Sequence, residues 1–269
     1  MGQTVLRLSL AAMVAALALP AAAQTVGANA VVVNDVRMAT QAEPQTHQAR
    51  VHERVSLGNP VHTGRASHVQ MLLLDGTSFQ IGANSQVVID RFVYDPSQSA
   101  SEVGASVARG SFRFISGSPT HRRPGQSGIR TPAATIGVRG TIVEGAVGPE
   151  AIELASREPN LEGVADADPE TATLVLLRGP GEGIPNVTPG AIDVTAGGVT
   201  IPVETVGYAV FIPRAGAQPI GPFLITDDGL AQLATLLSDP RRGLMTPDLD
   251  PLATDPTQND DLTGEPRGN

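Results

Sequence analysis

The chain has 269 residues and a net charge of −9, and it contains no cysteine, no tryptophan and no lysine, all 18 basic residues being arginine. Without cysteine, disulfide and thiolate chemistry are excluded, and an aromatic content of 3% leaves no stacking platform of the kind that carbohydrate or single-stranded nucleic-acid sites use. The acidic total argues against nucleic acid as a partner, although residues 46–147 carry ten arginines against six acids and are locally basic.

The first segment reads as a signal peptide. Met1 to Arg7 carries a positive charge, Leu8 to Leu19 is apolar apart from one serine, Pro20 breaks the helix, and Ala21-Ala22-Ala23 supplies small residues for cleavage before Gln24. Twelve residues are too few to span a bilayer, which takes about 20. The expected location is therefore the periplasm of a Gram-negative envelope, or the cell surface beyond it.

From Gln24 onward helical periodicity is nearly absent. Short apolar runs bounded by Gly, Pro, Asn and Asp predict an all-β chain. The expected strands are Ala30 to Val36, Val51 to Ser56, Ser67 to Leu74, Ser78 to Ile81, Gln86 to Tyr94, Ala105 to Ala108, Ser111 to Ile115, Gly128 to Arg130, Ala134 to Val138 and Thr141 to Gly145. Asp75-Gly76 and Arg109-Gly110 are expected turns, since glycine takes unusual backbone angles without steric cost. Residues 148–170 hold seven acids and one arginine and read as a solvated acidic linker. Strands resume at Thr173 to Leu177, Ala191 to Thr195, Val199 to Val203 and Tyr208 to Ile212, with Gly197-Gly198 in a hairpin loop. Leu230, Leu233, Ala234 and Leu237 fall at helical spacing behind a cap at Asp227 or Asp228, and Asp239-Pro240 ends that helix. Residues 241–269, proline-rich and acidic, form a disordered tail. The organisation is thus a signal peptide (1–23), a β domain (24–147), the acidic linker (148–170), a β extension with one short helix (171–240) and the tail. β-Helix and β-sandwich arrangements both fit this pattern.

Four histidines, His47, His52, His62 and His68, crowd into 22 positions, but neither cysteine nor a paired carboxylate completes a four-ligand metal set. No nucleophile elbow, calcium loop or P-loop is present. Asp75 and Asp90 are conceivable as paired carboxylates of a hydrolase, though Asp75 belongs to an Asp-Gly turn where local hydrogen bonding explains it. No metal, cofactor or catalytic residue is assigned. The densest block is Gly128 to Thr141, in which Ile136 and Val138 point to one face and Thr135, Gly137 and Arg139 to the other. Arg113, Arg130 and Arg139 are the candidate partner-binding residues, either on a basic surface or as part of a packed strand.

The blocks Val61 to Gly64, Val69-Gln-Met-Leu-Leu-Leu-Asp-Gly-Thr77, Ile81-Gly-Ala-Asn-Ser85, Arg109-Gly-Ser-Phe-Arg-Phe114 and Ile129-Arg-Thr-Pro-Ala-Ala-Thr-Ile-Gly-Val-Arg-Gly-Thr141 resemble, in that order, the FecR domain. The resemblance covers about Val51 to Val147 and implies an all-β periplasmic module with no catalytic residues. In founding members that module relays the occupancy of an outer-membrane iron transporter to a sigma factor, through a cytoplasmic segment and a transmembrane helix. Here a cleavable signal stands in their place. The expected function is a non-enzymatic exported binding module that contacts an envelope protein or anionic polymer. Its rivals are an accessory sensor in FecR-type signalling, a cell-wall hydrolase and a structural part of a surface assembly.

Overall fold

A computed structural model describes residues 24–40, 43–97, 100–117, 127–179 and 190–238. The expected signal peptide and acidic tail lie outside the described residues. Among those described, no helix is long and apolar enough to cross a membrane.

The first nine strands are β1 (Thr25–Val33), β2 (Val36–Met38), β3 (His47–Gln48), β4 (Arg54–Ser56), β5 (Pro60–Thr63), β6 (His68–Leu73), β7 (Ser78–Ile81), β8 (Gln86–Asp95) and β9 (Ala100–Ile115). They are followed by β10 (Ser127–Arg130), β11 (Thr135–Arg139), β12 (Ile142–Val147), helix α1 (Pro149–Ala155), β13 (Thr173–Leu177), β14 (Ala191–Ala196), β15 (Val199–Val203), β16 (Tyr208–Ile212), β17 (Ile220–Leu224) and helix α2 (Asp227–Leu237). The strands build two sheets. The first runs β4-β1-β6-β7-β9-β12-β13-β16-β17. The second runs β3-β2-β5-β8-β9-β10-β11-β14-β15.

Strand β9 stands in the middle of both. Its residues up to Arg109 pair in the second sheet and those from Gly110 pair in the first. The sequence suggests two strands joined by a turn at Arg109-Gly110. The chain instead continues as one strand and uses Gly110, at φ 86, to swing from sheet to sheet. A Cβ there would sit 2.0 Å from the Ser85 hydroxyl, so no other residue fits.

Among the described residues every strand pairing is antiparallel except β9 with β10. Antiparallel neighbours cannot be the stacked rungs of a parallel β-helix, and the apolar residues of the two sheets meet in one core, as in a sandwich. Val69, Met71, Phe79, Ile81, Phe112 and Phe114 contribute from the first sheet, and Val87, Ile89, Val103, Ile129, Ile136 and Val138 from the second. The Phe79 and Phe114 rings meet edge to face at 5.8 Å. Strand alternation produces this inward layer, as in Ser78-Phe-Gln-Ile81, where Phe79 and Ile81 are fully buried. Val175, Leu177, Ile192, Val194, Val210 and Ile212 belong to the same core, so the strands after residue 171 extend the two existing sheets.

A second apolar layer covers the outer face of the first sheet. Ala146, Leu174, Leu176, Ala209 and Phe211 meet Ala151, Leu154 and Ala155 of α1 and Leu233 and Leu237 of α2. Burial on both faces explains why Thr173–Leu177 reads as a continuous rather than an alternating run. Here the reading of 148–170 as wholly solvated is corrected. Helix α1 buries its apolar side, and Glu158 beyond it is also buried. The Glu158 carboxylate accepts hydrogen bonds from the Thr226 backbone N–H (3.0 Å) and hydroxyl (3.0 Å). Thr226, not an aspartate, is the N-cap of α2, and its hydroxyl oxygen accepts from the Gly229 N–H. Asp227 and Asp228 sit in the first turn, where negative charge suits the helix dipole.

The outermost strands are β4 and β3, of three and two residues, and β17 and β15, which carry Pro222 and Pro202. Short edges and edge prolines oppose strand pairing between chains.

Candidate binding surface

The three candidate arginines do not share a face. Arg113 projects from the outer face of the first sheet, Arg130 and Arg139 from that of the second. Each is paired with a carboxylate. Arg113 donates through Nε to Glu144 Oε1 at 2.6 Å and through Nη1 to Gln80 Oε1 at 3.1 Å. Arg130 Nη2 donates to Asp90 Oδ2 at 2.8 Å, an oxygen that also accepts from the Ser106 hydroxyl. Arg139 Nη2 donates to Asp193 Oδ1 at 3.1 Å and lies 3.7 Å from Glu204. Arg91 pairs with Glu102 on the second sheet as well. The outer face of the second sheet is therefore charge-balanced. The local excess of arginine in the sequence does not become an open cationic patch at Arg113, Arg130 or Arg139.

What distinguishes this face is a row without side chains. Gly104 of β9, Gly128 of β10 and Gly137 of β11 lie directly opposite one another. The row continues to Arg91 on one side and Asp193 on the other. With strands about 4.8 Å apart, the three glycines expose about 10 Å of bare backbone across the centre of the sheet. The Arg130–Asp90 pair borders it on one flank and the Arg139–Asp193 pair on the other. Thr135 and Arg139, four residues apart on β11, set those flanks about 13 Å apart.

Internal packing accounts for only part of the row. A Cβ at Gly104 would meet Arg91 Cβ at 2.8 Å, and one at Gly128 would meet the Ile136 carbonyl oxygen at 3.0 Å. At Gly137 the nearest atom is Asp193 Cβ at 3.8 Å, an ordinary contact, and the backbone is not in the left-handed region. Glycine within a strand is less stable than alanine by roughly 0.5–1 kcal/mol. Gly137 thus carries a cost that nothing among the described residues requires. The flanking ion pairs are also incompletely satisfied, since Asp90 Oδ1 and Arg139 Nε are buried and have no hydrogen-bond partner among the described residues.

The other expected sites lie elsewhere. Asp75, buried in the β6–β7 turn, accepts from the Thr77 N–H and hydroxyl and from the Ser101 hydroxyl, whereas Asp90 belongs to the second sheet. His47 Nε2 is 2.6 Å from Glu53 Oε1, His52 sits in a loop at φ 65, and His62 and His68 lie on strands of different sheets. No group of three or more metal-binding side chains occurs among the described residues. Sequence reading placed Gly128 and Gly137 in one dense block, with Gly137 on the face of Thr135 and Arg139. It missed Gly104, because only the pairing of β9 with β10 brings that residue into line.

Residues 59–157 match the family described as FecR protein, a stretch that runs from β5 through α1 and includes the whole glycine row. No curated protein matches the chain. Among solved structures, two of a candidate anti-sigma factor from Parabacteroides distasonis ATCC 8503, at 1.65 Å and 2.50 Å resolution, are similar at 13% identity, with TM-scores of 0.37 and 0.38. Each alignment covers 60% of this chain and 57% of the other, so this chain spans little more than half of that protein.

Proposed function

Residues 59–157 are a FecR domain, and from that premise we propose that the chain is a non-enzymatic binding module of an envelope signalling system, which contacts a partner protein through the outer face of its second sheet. The observation that carries this reading is the Gly104–Gly128–Gly137 row, above all Gly137, which has room for a Cβ and lacks one. Glycine within a strand marks a place where a ligand or another backbone comes close. The balanced ion pairs on either flank favour a protein surface of mixed charge over a uniformly anionic polymer. FecR-type proteins are envelope-associated and regulatory, which supports export through residues 1–23 to the periplasm.

The hydrolase reading has less support, because Asp75 and Asp90 belong to separate hydrogen-bond networks. Self-assembly through sheet edges is disfavoured by their shortness and their prolines. The test is site-specific photocrosslinking in cells. A photoreactive residue at exposed Thr135, beside the glycine row, should capture an envelope signalling protein, and one at Leu72, 51% exposed on the opposite sheet, should not. Equal capture from both positions, or from Leu72 alone, would overturn the reading.

A further inference from the structure

A cleft of about 210 Å³ opens on the outer face of the first sheet, at the C-terminal end of α2 and away from the glycine row. Its floor is a polar ladder. Gln70, Gln80 and Arg113 line it in register across β6, β7 and β9, with Glu144 next in the same row on β12, His68 lies beside them, and Leu237 and Ser238 of the α2 end form one wall.

The hydrogen bonds within the ladder leave donors over. Arg113 has five N–H groups. Nε is taken by Glu144 and Nη1 by Gln80 Oε1, while Nη2 has no partner among the described residues. Because Gln80 presents its oxygen to Arg113, its amide nitrogen is turned away and likewise has no partner among them. The Arg113 Nη2 group is thus left as a donor on the cleft floor, with the guanidinium fixed by its other contacts. Charge points the same way. The Glu144 side chain is 4% exposed and lies between Arg113 at 2.6 Å and Arg178 at 3.6 Å, so the group carries one uncompensated positive charge. One further carboxylate would balance it and would accept a charge-assisted hydrogen bond from Nη2. The cleft is smaller than the roughly 300–1,000 Å³ of ordinary small-molecule sites, a size that suits an acidic side chain or a peptide terminus. We infer that the cleft is a carboxylate-binding site.

Two sources share this chemistry. One is the chain's own residues 239–269, which hold seven acids and follow directly on Ser238. The other is a carboxylate from outside the chain. The experiment titrates the full chain with N-acetylglycine while following the Arg113 side-chain 15N resonance, with N-acetylglycinamide as the uncharged control. The same titration is run on a full-length variant in which the seven acids become Asn or Gln. An external carboxylate site predicts saturable shifts in both proteins, with a dissociation constant on the order of millimolar. Occupation by the chain's own acids predicts at least about tenfold tighter binding in the neutralised variant, because a tethered competitor has been removed. In Gln80→Glu, which supplies Arg113 with a second carboxylate and so compensates the remaining charge, the response should fall at least about tenfold. No saturable shift in either protein, or unchanged binding in Gln80→Glu, would overturn the inference.

Discussion

Glu158 tests whether the acidic stretch after β12 is solvent or architecture. The residue is 6% exposed, and its carboxylate receives the Thr226 N–H and hydroxyl, both at 3.0 Å, at the start of α2. Hydrogen bonds to a charged group contribute about 1.5–3 kcal/mol each, and removing the acceptor leaves a buried donor without a partner. The two bonds share one residue at each end and do not add fully, so Glu158→Ala should cost about 3 kcal/mol. For a domain of this size that lowers Tm by roughly 6–12 °C. Urea unfolding measures the loss directly, provided the slope with denaturant is unchanged. Glu162, exposed in the same stretch, is the control, and its replacement by alanine should stay within about 0.5 kcal/mol of wild type. If Glu158→Ala shifts the midpoint no more than Glu162→Ala does, the carboxylate is not holding α2 and the account of the second apolar layer is wrong.

Leu154 of α1 is fully buried against the first sheet, and Leu154→Ala should cost about 2–5 kcal/mol in the same unfolding assay; a loss below about 0.5 kcal/mol would mean that α1 is not docked. His47 is held above its ordinary pKa of 6.5, chiefly by its hydrogen bond to Glu53 and further by the Gln45 carbonyl and the Glu43 charge. A raised folded-state pKa means that its stabilisation is complete below about pH 6.5 and is lost as pH rises through the folded value. The advantage of wild type over His47→Gln in urea midpoint should therefore shrink from about pH 5.5 to about pH 9, and a constant difference would refute the pairing. Gly110→Ala meets Ser85 at 2.0 Å in a left-handed backbone and should prevent β9 from bridging the sheets. Retention of the wild-type urea midpoint would contradict that placement.

Much of the fold was legible because a strand's period survives in sequence. Ser78–Ile81, Thr173–Leu177, Val199–Val203 and Tyr208–Ile212 come out with the bounds that composition and turn residues suggest. The misses have physical reasons. Gly110 looks like a turn because its backbone angle is unusual, yet the angle serves a sheet crossing that depends on both neighbouring strands. Helix α1, at seven residues, is too short to show periodicity, and its acids mask the buried Ala151, Leu154 and Ala155. β5 and β17 contain prolines, which weaken any strand reading. For the candidate surface, alternation places Gly137 and Arg139 outside and Val138 inside, but alternation cannot say which sheet a strand joins. Arg113 was therefore grouped with Arg130 and Arg139 although it faces the opposite way, and the carboxylates that neutralise all three are distant in sequence.

If the bare backbone of the second sheet is kept for a partner, covering it should break that contact. Gly137→Val isolates the effect, since a Cβ at this site meets nothing closer than 3.8 Å and valine suits an exposed strand better than glycine by up to about 1 kcal/mol. The decisive measurement is crosslinked affinity purification from cells of the wild type and this variant, at matched expression and with urea midpoints recorded for both. The expected result is a midpoint equal to or above wild type and loss of the envelope signalling partner. Recovery of the same partner at the same yield from Gly137→Val would contradict it.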